Sequence, residues 1–149
     1  MTDLKSIILF DIDSVKAVMN GIKTQRRRPI TPQPTDKIIP SAHGYKKNEI
    51  LWVREPFKNK DGGFLYAADD ESKSLCWRSP IFMPKDAARI FLKITKVDYQ
   101  KLHEISDDDL MREGYSDVYK FIDQWNSVNS RCYSYDKNPY VWVINFMMV

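Results

Sequence analysis

The sequence predicts a mixed α+β fold, a small mixed β-barrel with short flanking helices, in a single domain spanning residues 1–149. Three observations support this class. Short β-rich segments are separated by turns and loops, with only a few short helical segments among them. The regular strand–helix alternation of parallel sheets is missing. The phosphate-binding patterns GxGxxG and GxxxxGKS/T are missing as well, which removes the commonest nucleotide-binding folds.

The chain opens with a predicted strand and helix. The apolar run "SIILF" is typical of a short buried strand. In "DIDSVKAVMNGIKT" the apolar residues recur on one helical face, and Asp13 or Ser14 can cap the start. Gly21 suits the left-handed conformation that ends many helices. The basic stretch "KTQRRR" therefore begins where a short helix ends.

Residues 24–28 are predicted to leave this helix as an extended strand. Alternate side chains of a strand point to opposite faces. Two sets are therefore expected, with Thr24, Arg26 and Arg28 on one face and Gln25 and Arg27 on the other. The proline-rich segment "PITPQPTDKIIPSAHGYKKN" predicts a loop. The next strand covers residues 50–53, and after the glycine turn "KDGG" the segment "FLYAAD" is its predicted hairpin partner.

The second half predicts a strand, two helices and a terminal strand. The stretch "RIFLKITKV" alternates and is rich in β-branched residues, as strands are. Ser106 with Asp109 three residues later forms a capping pattern, and Gly114 ends that short helix. Glu113 therefore lies in its last turn. A further helix is predicted over about residues 118–128, and "NPYVWVINFMMV" predicts the closing strand.

Charge is unevenly distributed along the chain, although the net charge is only +3. Residues 1–60 hold 12 Lys and Arg against 6 Asp and Glu, whereas residues 61–149 hold 11 against 14. The basic first part favours a polyanion or phosphate partner.

The sequence contains few residues that could bind a metal ion or carry out thiol chemistry. Cys76 and Cys132 lie far apart with no CxxC pattern, and buried or half-buried thiols are expected. His43 and His103 are isolated, so neither a bound metal nor a cofactor is predicted. No apolar run approaches the roughly 20 residues of a membrane helix. The opening residues also lack a signal-peptide pattern, so the cytoplasm is the expected location.

Several blocks together resemble the ASCH domains of the PUA-like superfamily, in particular the version found in bacteriophages and prophages. The resemblance rests on "GIKTQRRR" followed by proline, "EILWVREPF", "WRSPIFMPKDAARIFLKIT", "EISDDDLMREGY" and "NPYVWVINF". These blocks cover nearly the whole chain in the family's order. The resemblance implies a β-barrel of about five or six strands related to RNA-binding modules. It also implies a bacterial host cell as the setting.

The resemblance implies only part of a catalytic site, because one of its three residues is replaced here. In small bacterial relatives that deacylate N4-acetylcytidine, the site resembles a Lys-x-x-Thr pair in this block and a glutamate on the later helix. Lys23 matches the lysine and Glu113 the glutamate, but Arg26 occupies the threonine position. Arginine cannot attack a carbonyl. Thr24, next to Lys23, is expected to be a poor substitute because neighbouring strand residues point to opposite faces.

The basic segment of residues 23–28 is instead predicted to bind phosphate or another acidic group, because arginine offers a planar two-pronged donor. Trp77, beside Arg78, is a candidate for stacking on a base. Glu55 either pairs with an arginine of the cluster or accepts hydrogen bonds from a base edge, and Arg89 is an expected buried ion-pair partner. The candidate ligand-binding residues are Lys23, Thr24, Arg26, Arg27, Arg28, Glu55, Trp77 and Arg78.

Three functions follow as alternatives. The first is a module that binds RNA, DNA or a modified nucleoside. The second is a hydrolase, acting on an N-acylated cytidine or, as a ribonuclease, on a phosphodiester, with Lys23 and Glu113 as proton-transfer groups and water as nucleophile. The third is a phage accessory protein that acts through protein contacts. The replacement of threonine by Arg26 favours the first.

Overall fold

The computed structural model describes residues 6–35, 45–70, 76–129 and 131–149. Over these residues the protein has the predicted mixed α+β class, with seven strands and three α-helices. The strands are β1 Ser6–Leu9, β2 Gln25–Pro29, β3 Ile50–Arg54, β4 Phe57–Lys60, β5 Gly63–Tyr66, β6 Phe91–Lys101 and β7 Tyr140–Met148. The helices are α1 Ile12–Met19, α2 Asp107–Glu113 and α3 Val118–Asn129.

Five strands form one mixed sheet in the order β1-β3-β6-β7-β2. β1 runs parallel to β3, and the other neighbours are antiparallel. Over the described residues this sheet is open, with β1 and β2 as its edges, so the predicted closed barrel is not confirmed. Over the described residues, no backbone ladder joins β1 to β2. A side chain connects them instead, since a guanidinium nitrogen of Arg26 in β2 donates to the carbonyl oxygen of Leu9 in β1.

The hairpin differs from the predicted pairing. The segment after the glycine turn, β5, pairs with β4, and these two strands form a separate sheet. β3 pairs with β1 and β6 instead. Pro56 explains the difference, because proline lacks a backbone donor and separates β3 from β4.

Both faces of the large sheet are covered by apolar side chains. Alternate residues of β7 divide between two clusters, as the period of a strand requires. Trp142, Ile144 and Phe146 join the main core with β1, β3 and α1, whereas Val141 and Val143 pack with α2 and α3. β2, hydrogen-bonded to β7, therefore also has one face toward each cluster.

The ends of α1 and α2 bring the basic segment beside the later helix. Asp11, rather than the predicted Asp13 or Ser14, caps α1 by accepting from the Ser14 N–H. Ser106 and Asp109 form the predicted capping box of α2. The chain then turns at Gly114, whose φ of 99° is left-handed, and the Thr24 N–H donates to the Arg112 carbonyl at 2.7 Å. None of the helices in the described ranges is both long and apolar enough to span a membrane.

Gly114 is expected to be the least replaceable glycine of the fold. A left-handed φ costs an L-residue about 1–2 kcal/mol, so we expect Gly114→Ala to lower the free energy of unfolding by roughly that amount. The added Cβ would also lie 3.4 Å from the Ala17 Cβ. Gly63→Ala is the control, because that glycine has an ordinary φ and nothing within 4 Å. Urea denaturation measures both variants, and equal losses would contradict the assignment.

Candidate functional site

The basic residues of β2 divide between its two faces, as the sequence predicts. Gln25 and Arg27 lie opposite Asn145 and Val143 of β7, on the side of α2 and α3. The partners of Arg26 and Arg28 are Ile144 and Trp142, which belong to the main core. Cross-strand partners share a face of the sheet. The three arginines at positions 26–28 therefore lie on two different faces of the sheet rather than together on one.

A buried ion cluster occupies the junction of β2 and α2. Lys23, Arg27 and Glu113 each have 5% of their surface exposed. The Lys23 Nζ lies 3.1 Å from Glu113 Oε2 and donates to the Glu113 carbonyl oxygen at 2.7 Å. The Arg27 Nη1 lies 3.0 Å from Glu113 Oε1. Each carboxylate oxygen thus has its own cation, and the structure brings together the Lys23 and Glu113 predicted from sequence.

Arg27 uses its remaining donors on three other side chains. Its Nη2 lies 3.2 Å from Asp109 Oδ2, its Nη1 donates to Gln25 Oε1 at 2.7 Å, and its Nε and Nη2 both donate to Gln100 Oε1. Partial burial would raise the pKa of Asp109, but Arg27 and hydrogen bonds from Ser106 and Gln25 hold it below its usual range. Arg27 is therefore committed to internal contacts.

Lys23 lines a small cavity in which its charge is disfavoured. Burial lowers the pKa of Lys23, the Glu113 carboxylate opposes that shift, and the charge of Arg26 adds to it. The cavity has a volume of about 70 Å³, and Phe10, Tyr115 and Trp125 are among the residues in its wall. Burial raises the pKa of Tyr115, so its phenol stays protonated. Such a lysine beside a carboxylate is suited to proton transfer.

Arg26 and Arg28 lie at the open edge of the sheet. Arg26 is half-buried, with its guanidinium carbon 5.3 Å from the centre of the Phe10 ring. Burial lowers the pKa of Arg26, but an arginine remains protonated at neutral pH. The exposed Arg28 donates from Nη1 to the Tyr45 hydroxyl at 2.8 Å. Within the described ranges, neither guanidinium has a carboxylate oxygen within 4 Å.

A groove follows this edge. We call it the seam, and it is lined by residues 7–9 of β1, residues 26–29 of β2, Tyr45, Ile144, and Val128 and Asn129 at the end of α3. Its volume is about 370 Å³, within the range of about 300–1,000 Å³ that ligand sites occupy. The Tyr45 hydroxyl lies 3.5 Å from the Ile7 carbonyl oxygen, so the tyrosine connects Arg28 to β1. The seam thus combines the buried ring of Tyr45 with two arginines that have no carboxylate partner among the described residues.

Glu55 does not pair with the arginines of β2, so that alternative is wrong. Its carboxylate is fully buried and accepts from Arg89, at 2.8 Å from Nη2 and 3.1 Å from Nε. Arg89 also lies 2.6 Å from Asp69. Burial would lower the pKa of Arg89, but these two carboxylates raise it. The expected ion pair of Arg89 is confirmed, and Glu55 has a structural partner.

Trp77 and Arg78 belong to a separate cluster beside the β4–β5 hairpin. Arg78 exchanges backbone hydrogen bonds with Phe57, and its guanidinium carbon lies 5.5 Å from the ring centres of Phe57 and Phe82. The Lys58 Nζ lies 4.5 Å from the centre of the Trp77 ring. The hydrogen bonds and ring contacts of Trp77 and Arg78 are made with Phe57, Lys58 and Phe82. The structure therefore does not bring Trp77 and Arg78 together with the basic segment.

The remaining candidates have simple placements. Thr24 is half-buried and is held through its backbone by Arg112 and Phe146. Cys76 and Cys132 are exposed rather than buried, and they form no disulfide with each other. His43 lies outside the described residues, and the part of the chain that is described contains no His, Cys, Asp and Glu cluster able to hold a metal ion.

Sequence reasoning missed Tyr45, Gln100 and Asp109 as members of this region. Tyr45 follows a proline-rich segment without periodicity, so no pattern marks it. Asp109 is recognisable as a helix cap, but its second role depends on where α2 packs. Gln100 lies near the end of the long strand β6, and only the register between β6, β7 and β2 brings it to Arg27.

The fold and the site define a mixed α+β protein with a buried ion cluster and an arginine-lined seam. No protein-family model and no curated protein matches the chain. Among solved structures, it is similar to protein EF3133 from Enterococcus faecalis V583, of the family designated DUF984. The TM-score is 0.55 and the identity 11%, over 100% of this chain and 82% of that chain. At this identity the likeness concerns the fold alone.

Asp109 is expected to contribute stability that acid removes. Its pKa is lower in the folded protein than its ordinary value of 3.8, so its contribution is complete above that value and is lost as pH falls through the folded pKa. Urea midpoints measured from about pH 6 to about pH 2 should therefore fall less steeply for Asp109→Asn than for the wild type. Asp108→Asn, an exposed position in the same turn, should keep the steep fall. Equal slopes for Asp109→Asn and wild type would contradict the role of Asp109.

Proposed function

We propose that this protein binds nucleic acid, or a modified nucleoside carrying phosphate, through the seam. We further propose that it belongs to the ASCH domains of the PUA-like superfamily, of the phage and prophage type, and that its open sheet is the family's barrel left unclosed between β1 and β2. The observation that carries the binding proposal is the pair of arginines, Arg26 and Arg28, which lie at the seam without a carboxylate partner among the described residues.

Charge neutralisation separates these arginines from the other basic residues. Lys23 and Arg27 are neutralised by Glu113 and Asp109, and recruiting them would leave buried carboxylates unpaired. Arg26 and Arg28 carry no such cost. A guanidinium has five N–H donors, and each of these two uses only one in a hydrogen bond within the described residues. Most of their donors remain available to a ligand.

The spacing and surroundings of the two arginines favour a phosphate backbone. They are two residues apart on a strand, which separates their Cα atoms by about 7 Å along the seam. This arrangement suits the successive phosphates of an extended single strand. Tyr45 is buried in the main core, and it holds Arg28 in place, with the guanidinium carbon 5.9 Å from its ring centre and Nη1 donating to its hydroxyl.

Oligonucleotide binding tests the proposal. We expect the protein to bind single-stranded RNA or DNA with an affinity that falls steeply with salt, because bound phosphates release counterions. Arg26→Ala with Arg28→Ala should weaken binding and flatten the slope of log K against log salt by about 1.4, the value for two lost phosphate contacts on a single strand. Fluorescence anisotropy across a salt series measures both quantities.

The matched control removes two charges elsewhere. Lys60→Ala with Lys137→Ala changes the net charge equally at two exposed positions, so it should leave the slope nearly unchanged. Absence of binding to any RNA or DNA at low salt would contradict the proposal. An equal loss in both double variants would show that only the net charge matters.

A second candidate, hydrolysis, is favoured by the Lys23–Glu113 pair at the small cavity. Deprotonated Lys23 would take a proton from water while the water oxygen attacks the acyl carbon of an N-acylated cytidine. The Lys23 ammonium would pass this proton to the Glu113 carboxylate, 3.1 Å away, and Glu113 would give it to the departing amino nitrogen as the C–N bond breaks, which restores both groups. Water has to be the nucleophile because Arg26 stands where the deacylating relatives carry threonine. The same pair could serve a ribonuclease acting on a phosphodiester.

Release of acetate from N4-acetylcytidine tests this candidate. We expect Lys23→Met and Glu113→Gln to abolish activity, whereas Lys16→Met and Glu104→Gln, at exposed positions, should retain it. Circular dichroism of each variant establishes that it is folded. Activity that persists in both Lys23→Met and Glu113→Gln would identify a contaminating enzyme.

A further inference from the structure

A row of side chains continues beyond the seam, past the ends of β1 and β3. Leu9 ends β1 and lines the seam, and 40% of its surface is exposed. In the parallel pairing of β1 with β3, its partner is Arg54, the last residue of β3. Neighbouring strands lie about 4.8 Å apart, and paired residues share a face of the sheet. The half-buried Arg54 therefore lies directly beside the end of the seam.

Arg54 connects the seam to the short helical turn Pro80–Phe82. Its Nη1 donates to the Ile81 carbonyl oxygen at 3.2 Å, and its guanidinium carbon lies 4.9 Å from the centre of the Trp52 ring. Within the described ranges it has no carboxylate oxygen within 4 Å, and its buried Nε has no hydrogen-bond partner. A buried donor without an acceptor lowers stability, which favours a functional reason for this arginine.

The turn presents two exposed apolar side chains next to a second arginine. Ile81 has 59% and Phe82 62% of its surface exposed. The guanidinium carbon of the exposed Arg78 lies 5.5 Å from the ring centres of both Phe82 and the buried Phe57. Across the described part of the chain, this guanidinium has no hydrogen-bond acceptor and no carboxylate within 4 Å. We call Arg54, Arg78, Ile81 and Phe82 the platform.

Trp77, the stacking candidate from sequence, faces away from the platform. Phe57 and Arg78 are partners in an antiparallel bridge, so Lys58 and Trp77 form the next pair along it. Successive residues of extended chains point to opposite faces. The Lys58 Nζ also lies 4.5 Å from the centre of the Trp77 ring. The exposed ring beside Arg78 is therefore that of Phe82.

The platform has the chemistry of a site for unpaired bases and their phosphates. Aromatic rings stack on bases of any sequence, while nearby cations follow the backbone. A purely apolar protein segment would cover Phe82 but leave two guanidinium groups without acceptors, whereas phosphate oxygens supply acceptors to both. The platform also continues from Arg26 through Leu9, whose carbonyl oxygen accepts from that arginine.

We propose that the platform extends the seam into a longer track for single-stranded RNA or DNA. A base stacks on Phe82, and Arg54 and Arg78 contact the phosphates beside it. This inference rests on the proposed binding at the seam, because the strand is expected to reach Arg54 from Arg26. It adds a second contact region, so affinity depends on the length of the strand.

Oligonucleotides of two lengths test the proposal. A uridine trinucleotide covers little more than the two arginines of the seam, whereas a decamer of uridine also reaches the platform. Phe82→Ala with Arg78→Ala should weaken decamer binding by at least about tenfold, since a stacked base and a phosphate contact are lost. Trinucleotide binding should be unchanged. Fluorescence anisotropy with end-labelled oligonucleotides measures both affinities.

Matched variants separate stacking from general effects. Tyr119→Ala with Lys120→Ala removes an exposed ring and an exposed cation from α3, and it should leave both affinities unchanged. Phe82→Tyr keeps an aromatic ring and should bind the decamer as the wild type does. Phe82→Leu keeps apolar bulk without a ring, so it should weaken decamer binding.

Three results would overturn the proposal. One is unchanged decamer binding in Phe82→Ala with Arg78→Ala, which would restrict the site to the seam. Another is an equal loss for trinucleotide and decamer, because that variant would then act by disturbing the seam. The third is absence of decamer binding at low salt. Failure of the seam alone gives a different result. Arg26→Ala with Arg28→Ala would then leave trinucleotide binding unchanged, while a loss of decamer binding in Phe82→Ala with Arg78→Ala would still support the platform.

Discussion

The carboxylate of Glu113 is the group on which this region depends. It lies between the Lys23 ammonium and the Arg27 guanidinium, all three with 5% of their surface exposed. Burying ions costs free energy that only close pairing offsets, and removing one partner of such a cluster typically costs about 3–5 kcal/mol. The cluster joins the end of α1, the start of β2 and the last turn of α2. Gly114 makes the junction possible by letting the chain turn directly after Glu113.

The same pairing gives the two faces of β2 different chemistry. On the inner face, Arg27 is neutralised and instead orients the amides of Gln25 and Gln100. On the seam face, neither Arg26 nor Arg28 has a carboxylate oxygen within 4 Å among the described residues, because Lys23 and Arg27 take both oxygens of Glu113. A run of basic residues that is uniform in sequence is therefore divided into a half that is ion-paired within the protein and a half without a carboxylate partner among the described residues. The period of the strand and the position of one glutamate are sufficient to make this division.

Local patterns predicted much of the fold. The alternation of residues 24–28, the capping of α2 and the turn at Gly114 depend on nearest neighbours along the chain, and the structure agrees with each. The pairing of strands that are distant in sequence could not be predicted from local patterns. The predicted hairpin paired the wrong strand, Glu55 proved to pair with Arg89, and Trp77 lies apart from the basic segment. These outcomes depend on how distant strands align, which no local pattern records.

A crystal structure of the protein with a bound pyrimidine trinucleotide tests the central claim most directly. The account predicts phosphate density in the seam within hydrogen-bond distance of the Arg26 and Arg28 guanidinium groups. It also predicts that Glu113 keeps its contacts with Lys23 and Arg27. Phosphate density against Lys23 or Arg27, with Glu113 displaced from them, would contradict the division of β2 into a neutralised face and a binding face.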